Sequence, residues 1–285
     1  GGKVILEAPV QIARLLKDMN LADTIVTHDR SLPEFGCHVA LMDLPKMFGT
    51  RLETIPSKTP YLTVPQNIKK QWEKRLGVRD KFRLGITWAG NKAHQYDKKR
   101  SIDAHLFRPF VEIPGVTVYS LQVGRGSESE KVFGDKVIDV GALLTDFSDT
   151  AAIINKMDLV VTADTAVAHL AGALGRTVWT LLPHVADWRW LVGRDDSPWY
   201  PTMRLFRQPQ RDDWKTVIRN VEKELLKYKK LKDDSEFFAV FAISERLGID
   251  VREVYGWPYE LFAAWLAYFS VKSEYEQSGG PKAQS

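Results

Sequence analysis

The sequence is poor in cysteine, in long apolar runs and in net charge. Cys37 is the one cysteine among 285 residues, which excludes an internal disulfide and a cysteine-based metal site and predicts a cytoplasmic protein. The longest apolar stretches, such as Leu261 to Phe269, are far shorter than the roughly 20 residues of a membrane-spanning helix. The first residues, Gly1 to Glu7, lack the long apolar core of a secretory signal. We therefore expect no transmembrane span.

The small net charge hides a local excess. Forty Lys and Arg against 36 Asp and Glu leave +4 overall, yet between Lys69 and Arg100 eleven basic residues stand against three acidic ones, an excess of +8. Such a segment serves nucleic acid, a membrane surface or a phosphorylated small molecule, or it is a solvated helix face. Because its charges fall on one predicted helix and one loop, with no known nucleic-acid module in the sequence, we expect no nucleic-acid partner.

What is present is an average globular composition, 44% hydrophobic and 27% charged, which fits one or two domains. The first 65 residues predict two strands (3–7 and 22–27) around a helix (10–19), then a Pro- and Thr-rich linker over 50–65. A polar helix over Gln66 to Leu76 leads into the next region.

From Phe82 strands and helices alternate, which predicts right-handed crossovers and a parallel sheet covered on both faces. This is a doubly wound α/β, Rossmann-like domain. The predicted strands are 83–88, 116–122, 136–140, 158–163, 177–182 and 203–206, and the predicted helices are 104–110, 149–155, 166–174 and one from Asp213.

After Tyr228 the composition changes to a charged linker and then, over 235–277, to two or three short amphipathic helices rich in aromatic residues. That apolar surface either docks on the preceding domain or forms an interface with a protein partner or a second copy. The predicted domains are 1–65, 66–228 and 229–285, the last a helical tail.

The strand over 158–163 runs into a helix start at Asp164, Thr165 and Ala166. The amino end of a helix after a parallel strand has unpaired N–H groups and a positive dipole, so it binds phosphate. Thr165 adds a hydroxyl donor for such a phosphate. For Asp164 the alternative to a ligand contact is an ordinary N-cap. His169, one turn along, either approaches the same ligand or is a packed helix histidine.

The segment Asp164 to Gly175 resembles the nucleotide-sugar diphosphate motif of bacterial heptosyltransferase-like glycosyltransferases, and more closely the glycosyltransferase region of bacterial tetratricopeptide-repeat proteins. The resemblance covers about residues 1–226. Its further motifs, in order, are Gly85 to Asn91 with Lys99 to Ile102, Tyr119 to Gly124, and Trp188 to Trp190 with Trp199 to Pro201. It implies a GT-B-like fold of two facing Rossmann-like lobes, with the donor nucleotide in the C-terminal lobe and the acceptor in the N-terminal one.

Four places supply further candidate donor-binding residues: a turn that Gly90 opens to close approach, a basic loop, the end of one strand and the long loop after another. A solvated loop is the alternative for the first two, and core packing is the alternative for the tryptophan. These residues are Gly90, Asn91, Lys92, Arg100, Ser101, Gln122 and Trp188.

The resemblance implies a nucleotide-diphosphate sugar as donor substrate and a metal-independent transfer without a bound cofactor. The acceptor is a glycan, a lipid-linked sugar or a protein. Only about 65 residues precede the Gln66 helix, which predicts a truncated N-terminal lobe and leaves the catalytic base unidentified, so the chain is a fragment, inactive or completed by a partner. The alternative is a non-catalytic nucleotide-sugar-binding or phage assembly-related protein, since residues 235–277 weakly resemble phage tail-assembly and minor tail proteins.

Overall fold

A computed structural model describes residues 2–17, 19, 21–79, 81–91, 93, 95, 97–233, 243–244, 246–250, 254 and 265. The chain divides into two compact units, Gly1–Glu222 and Lys223–Ser285. Lys92 and nearly all of the predicted tail helices over 235–277 lie outside the described residues. The account below therefore concerns the first unit.

The strands and helices follow in chain order. The strands are β1 (Ile5–Ala8), β2 (Thr24–Thr27), β3 (Phe82–Thr87), β4 (Val116–Ser120), β5 (Val137–Asp139), β6 (Leu159–Ala163), β7 (Val178–Leu182) and β8 (Met203–Arg207). The helices are α1 (Val10–Lys17), α2 (Leu44–Met47), α3 (Gln66–Leu76), α4 (Asp97–Arg100), α5 (Arg108–Val111), α6 (Gly126–Phe133), α7 (Phe147–Ile154), α8 (Ala166–Ala173) and α9 (Trp214–Asp233).

The main sheet has six parallel strands in the order β5-β4-β3-β6-β7-β8. The chain starts at the central β3, moves outward to β5 and then returns to β6 on the other side, so the strand order reverses between β3 and β6. Every residue of β3 and β6 is buried, as covered parallel strands require. The prediction of a doubly wound α/β domain is confirmed, and the crevice for a ligand lies at that reversal.

The first 65 residues pack on this domain instead of forming a compact body of their own. β1 and β2 pair in parallel as a small sheet around α1, and α1 packs on α7. Leu15 of α1 is fully buried in the same core as Trp72 of α3 and Ile153 of α7. One compact unit, Gly1–Glu222, thus contains residues 1–65 together with most of 66–228, although the sequence predicts these as separate domains.

Three local features differ from the prediction. The helix expected over 104–110 is a 3-10 turn followed by α5, because Pro109 cannot donate a backbone N–H to the preceding turn. The short helix α6 is not predicted, since its sequence GSESEKVF carries only two large apolar residues. The strand expected over 116–122 ends at Ser120.

Gly172 allows a close contact between α8 and the side chain of Tyr200. A Cβ on Gly172 of α8 would collide with the ring of Tyr200. A glycine at this position therefore lets the loop before β8 lie directly against α8.

Candidate functional site

Two clefts open at the carboxyl ends of the main strands. The first, of about 580 Å³, is lined by Gln11, Thr87, Arg100, Thr150 and residues 89–91, 121–125, 144–147 and 165–167. The second, of about 480 Å³, lies on the β7–β8 side and is lined mainly by the loops after those strands. Arg100 lines both clefts, so they adjoin at the point where the strand order reverses.

The side chain of Arg100 ties two predicted loops together. Its Nη1 donates to the backbone oxygen of Asp164 at 2.9 Å, and its Nε lies 3.5 Å from Oδ1 of Asp97. A Cβ on Gly90 would collide with both side chains, Asp97 and Arg100. Glycine at position 90 therefore leaves the space in which the guanidinium reaches the amino end of α8.

The amino end of α8 faces both clefts. Thr165 is the N-cap, and its hydroxyl accepts from the backbone N–H of Val167 at 3.4 Å. Thr165 Oγ1 also lies 3.3 Å from Oγ1 of Thr162, whose hydroxyl contacts that of Thr87. Thr165 and Ala166 line the first cleft, and Asp164 lines the second. Thr165, not Asp164, is the residue that caps the helix.

Gln122 holds a backbone turn in addition to lining the first cleft. Its Oε1 accepts from the N–H groups of Trp88 and Ala89, at 3.1 and 2.9 Å. The acceptor end of the amide is thereby used inside the protein. Gln122 positions the turn that carries Gly90.

The loop candidates Asn91 and Ser101 differ in whether they line a cleft. Asn91 lines the first cleft, and its Oδ1 accepts from the N–H of Ala93 at 3.0 Å. Ser101 lines neither cleft, and its Oγ is buried without a hydrogen-bond partner among the described residues.

His169 and Trp188 also lie apart from the cleft walls. The His169 ring stacks on Trp190 at 5.1 Å between centroids, and its Nδ1 lies 3.1 Å from the hydroxyl of Tyr200. Burial lowers the pKa of His169, with nearby Arg189 adding to the effect against Asp164. Trp188 is 60% exposed. Of the two readings of His169, the structure shows the packed helix histidine.

Arg125 also lines the first cleft, although it is not among the predicted site residues. Its Nη2 lies 3.4 Å from Oδ2 of Asp97 and its Nη1 lies 3.2 Å from Glu128. Asp97 thus holds two arginines, Arg100 and Arg125, against the same cleft. The sequence signal for Arg125 is a basic residue between two glycines, Gly124 and Gly126, in the loop after β4.

The amino-terminal segment also contributes to the first cleft. Gln11 of α1 is part of its lining, and Arg14 binds Asp146 at 2.6 Å and Asp149 at 3.2 Å. Burial would raise the pKa of Asp149, but hydrogen bonds from Thr145 and Trp72 and the charge of Arg14 lower it below its ordinary value. The ion pairs hold α1 against the start of α7.

Possible catalytic bases in the amino-terminal segment lie elsewhere. His28, Asp29 and Glu34 are exposed, and none of them lines either cleft. Among the described residues no group of three or more His, Cys, Asp or Glu is placed to hold a metal ion. In the same part of the chain, none of the helices has the length and apolar character to cross a membrane.

Comparisons with known proteins relate the chain to glycosyltransferases. Residues 142–190 match the model of glycosyltransferase family 9 (heptosyltransferase). Protein FlbA of Caulobacter vibrioides is 28% identical over 197 residues, which make up 66% of this chain and 32% of that protein. The chain therefore spans about a third of the length of this relative.

Solved structures with a similar fold include heptosyltransferases at low identity. The ADP-heptose lipopolysaccharide heptosyltransferase II of E. coli aligns with a TM-score of 0.45 and 14% identity over 64% of this chain and 57% of that one. A family 9 glycosyltransferase of Veillonella parvula gives 0.47 and 13% over 73% and 62%, and E. coli heptosyltransferase WaaC with ADP gives 0.45 and 11% over 80% and 73%. The segment that matches the family 9 model contains β6, α8 and the Asp164–Ala166 turn, so the similarity to glycosyltransferase family 9 includes residues that line the first cleft and residues that line the second.

Proposed function

We propose that this chain binds a nucleotide-diphosphate sugar in the clefts at the amino end of α8 and serves in glycosyl transfer to a glycan, a lipid-linked sugar or a protein. The observation that carries the proposal is the position of Arg100, which bonds to the backbone of Asp164 and lines both clefts. A diphosphate placed there meets a guanidinium and a helix amino end together.

The chemistry follows from where negative charge develops. In a direct displacement at the anomeric carbon, an acceptor hydroxyl oxygen forms the new bond and its proton passes to a base that a partner supplies. The bond to the diphosphate breaks with its electron pair, so the terminal diphosphate oxygen gains charge. Arg100, Arg125 and the amino end of α8 are preorganised to stabilise that oxygen, a role for which glycosyl transfer elsewhere uses either a metal or basic side chains. The proposed transfer is therefore metal-independent.

The hydrogen bonds of the Asp146 carboxylate in the first cleft favour a second function, nucleotide-sugar binding without transfer. Asp146 lines that cleft, but its oxygens accept from Arg14 and from the N–H groups of Ser148 and Asp149. A carboxylate bonded in this way is a poor general base. In this version a partner supplies the base, or the chain only holds the nucleotide sugar.

The test measures by calorimetry the binding of ADP, UDP and GDP and of the corresponding nucleotide sugars. It then assays the release of free nucleotide from the nucleotide sugars. We expect at least one nucleotide to bind, and Arg100→Ala to weaken that binding at least about tenfold, because a charge-assisted hydrogen bond is lost. Lys98→Ala is the matched control, since Lys98 is an exposed neighbour on α4 that lines neither cleft. Release of nucleotide from a nucleotide sugar in the presence of an acceptor supports transfer. Binding of nucleotide sugars without release supports the second function, and no binding of any member of the panel contradicts both.

A further inference from the structure

Gln208, which lines the second cleft, has a buried side-chain NH₂ group without a hydrogen-bond partner among the described residues. Gln208 follows β8 and is 5% exposed. Its Oε1 accepts from the N–H of His184 at 3.0 Å, whereas its Nε2 is buried without a hydrogen-bond partner among the described residues. An unpaired buried donor costs free energy. A ligand oxygen in the cleft would restore its hydrogen bond.

The ring of His184 and the backbone of Gln208 fix this amide in place. His184 Nδ1 lies 3.3 Å from the backbone oxygen of Gln208, and the N–H of Gln208 donates to Leu182 at the end of β7 at 3.0 Å. Both residues therefore lie directly at the carboxyl ends of β7 and β8. Such a position, built on strand ends, suits a binding residue better than one on a long loop.

The charges around the second cleft balance. Three basic side chains (Lys99, Arg100 and Arg211) and three carboxylates (Asp164, Asp187 and Asp212) line it. A phosphate-sized anion gains little net attraction from such a set, whereas a ring bearing several hydroxyls needs donors and acceptors mixed in this way. By contrast, the first cleft is lined by Arg100 and Arg125 against the single carboxylate of Asp146.

We propose that the second cleft binds the sugar ring of the donor, with the side-chain amide of Gln208 donating to a sugar hydroxyl. The proposal rests on the proposed function, because Arg100 joins the clefts and would hold the diphosphate between nucleoside and sugar. Gln208 would then be a specificity-determining residue for the sugar, and the first cleft would hold the nucleoside.

The test follows the side-chain NH₂ resonance of Gln208 in full-length protein labelled with ¹⁵N-glutamine, assigned by its loss in Gln208→Glu. The probes are glucose, mannose and N-acetylglucosamine 1-phosphates, the corresponding methyl glycosides and inorganic phosphate. We expect at least one sugar 1-phosphate to shift the resonance more than inorganic phosphate does. The matching methyl glycoside should bind at least about tenfold more weakly, because it lacks the group that Arg100 holds. No shift with any sugar 1-phosphate, or equal affinity for its methyl glycoside, would overturn the proposal.

Variants separate this inference from the proposed function. Gln208→Glu keeps the acceptor for His184 and removes the donor, so we expect about tenfold weaker binding of the sugar 1-phosphate with nucleoside diphosphate affinity unchanged within about twofold. Val192→Ala, at an exposed position that lines neither cleft, is the matched control. Equal weakening of both ligands by Gln208→Glu would overturn the role of the amide. Nucleotide binding without any response of Gln208 contradicts the inference and leaves the proposed function standing. A response of Gln208 to sugar 1-phosphate without nucleotide binding contradicts the proposed function and shows a sugar-phosphate site that is not part of a nucleotide-sugar site.

Discussion

His169 lies one turn after Thr165, and helical spacing alone leaves open whether it approaches a ligand or packs as a helix histidine. The fold shows the packed arrangement, because the imidazole stacks on Trp190 and lies within hydrogen-bond distance of the hydroxyl of Tyr200. Burial also raises the pKa of Tyr200, with Tyr61 adding to the effect, so the phenol stays protonated over the ordinary pH range. The part-buried His169 thus packs with the buried side chains of Trp190 and Tyr200 on one side of α8.

Replacing His169 with Gln should remove a pH dependence of stability. The folded pKa of His169 lies below its ordinary value, about 6.5 in an unfolded chain. The unfolded state therefore takes up the proton first, so this residue's stabilisation is complete above about pH 7 and is lost as the pH falls through the unfolded pKa towards the folded one. We expect the free energy of unfolding, from urea titrations between about pH 7.5 and 5.5, to fall more steeply in the wild type than in His169→Gln. Parallel pH profiles for the two proteins would contradict this assignment.

At the scale of elements, α3 and α7 are joined by a polar contact inside the core. Nε1 of the fully buried Trp72 donates to Oδ1 of Asp149 at 2.9 Å. The other oxygen of the same carboxylate accepts from Thr145 and faces Arg14 of α1. Three segments distant in the chain therefore meet at one carboxylate just behind the wall of the first cleft.

Trp72→Phe tests how much this contact stabilises the packing of α3 on α7. The ring stays apolar and buried, but Asp149 loses a hydrogen-bond donor, so the free energy of unfolding should fall by about 1–3 kcal/mol. Urea denaturation followed by far-UV circular dichroism measures it. Lys70→Ala, on the exposed face of α3, should change stability by no more than about 0.5 kcal/mol. If the two variants are equally stable, the hydrogen bond contributes nothing to the packing.

At the scale of the whole molecule, the amino-terminal segment shares the core of the α/β domain. Leu15 is fully buried together with Ile68, Trp72 and Ile153, and Gln11 reaches the first cleft from the same helix. Loss of this helix would expose core residues and open one wall of the cleft. Folding of the first 65 residues and formation of the site are therefore coupled.

Leu15→Ala should destabilise the entire first unit and not α1 alone. Truncating a fully buried leucine costs about 2–5 kcal/mol, and a shared core should unfold in one main transition. Tryptophan fluorescence and far-UV circular dichroism should give coincident midpoints, both lowered. Leu41→Ala is the matched control, since Leu41 is 64% exposed. An early, separate transition confined to part of the signal would show that residues 1–65 fold as an independent lobe.

Local patterns were enough to predict the alternating strands and helices, the bounds of α3 and the turn at Asp164–Ala166. Buried strand runs, caps and helix starts depend on residues that are neighbours in the chain. No such local signal predicts the places of Gln11 and Gln208 in the clefts, the packing of His169 or the docking of α1. Each depends on contacts between segments far apart in sequence, as when Asp97 holds both Arg100 and Arg125. The turn at Asp164–Ala166 is thus determined by the local sequence, whereas the clefts around it exist only once the sheet and its helices have packed.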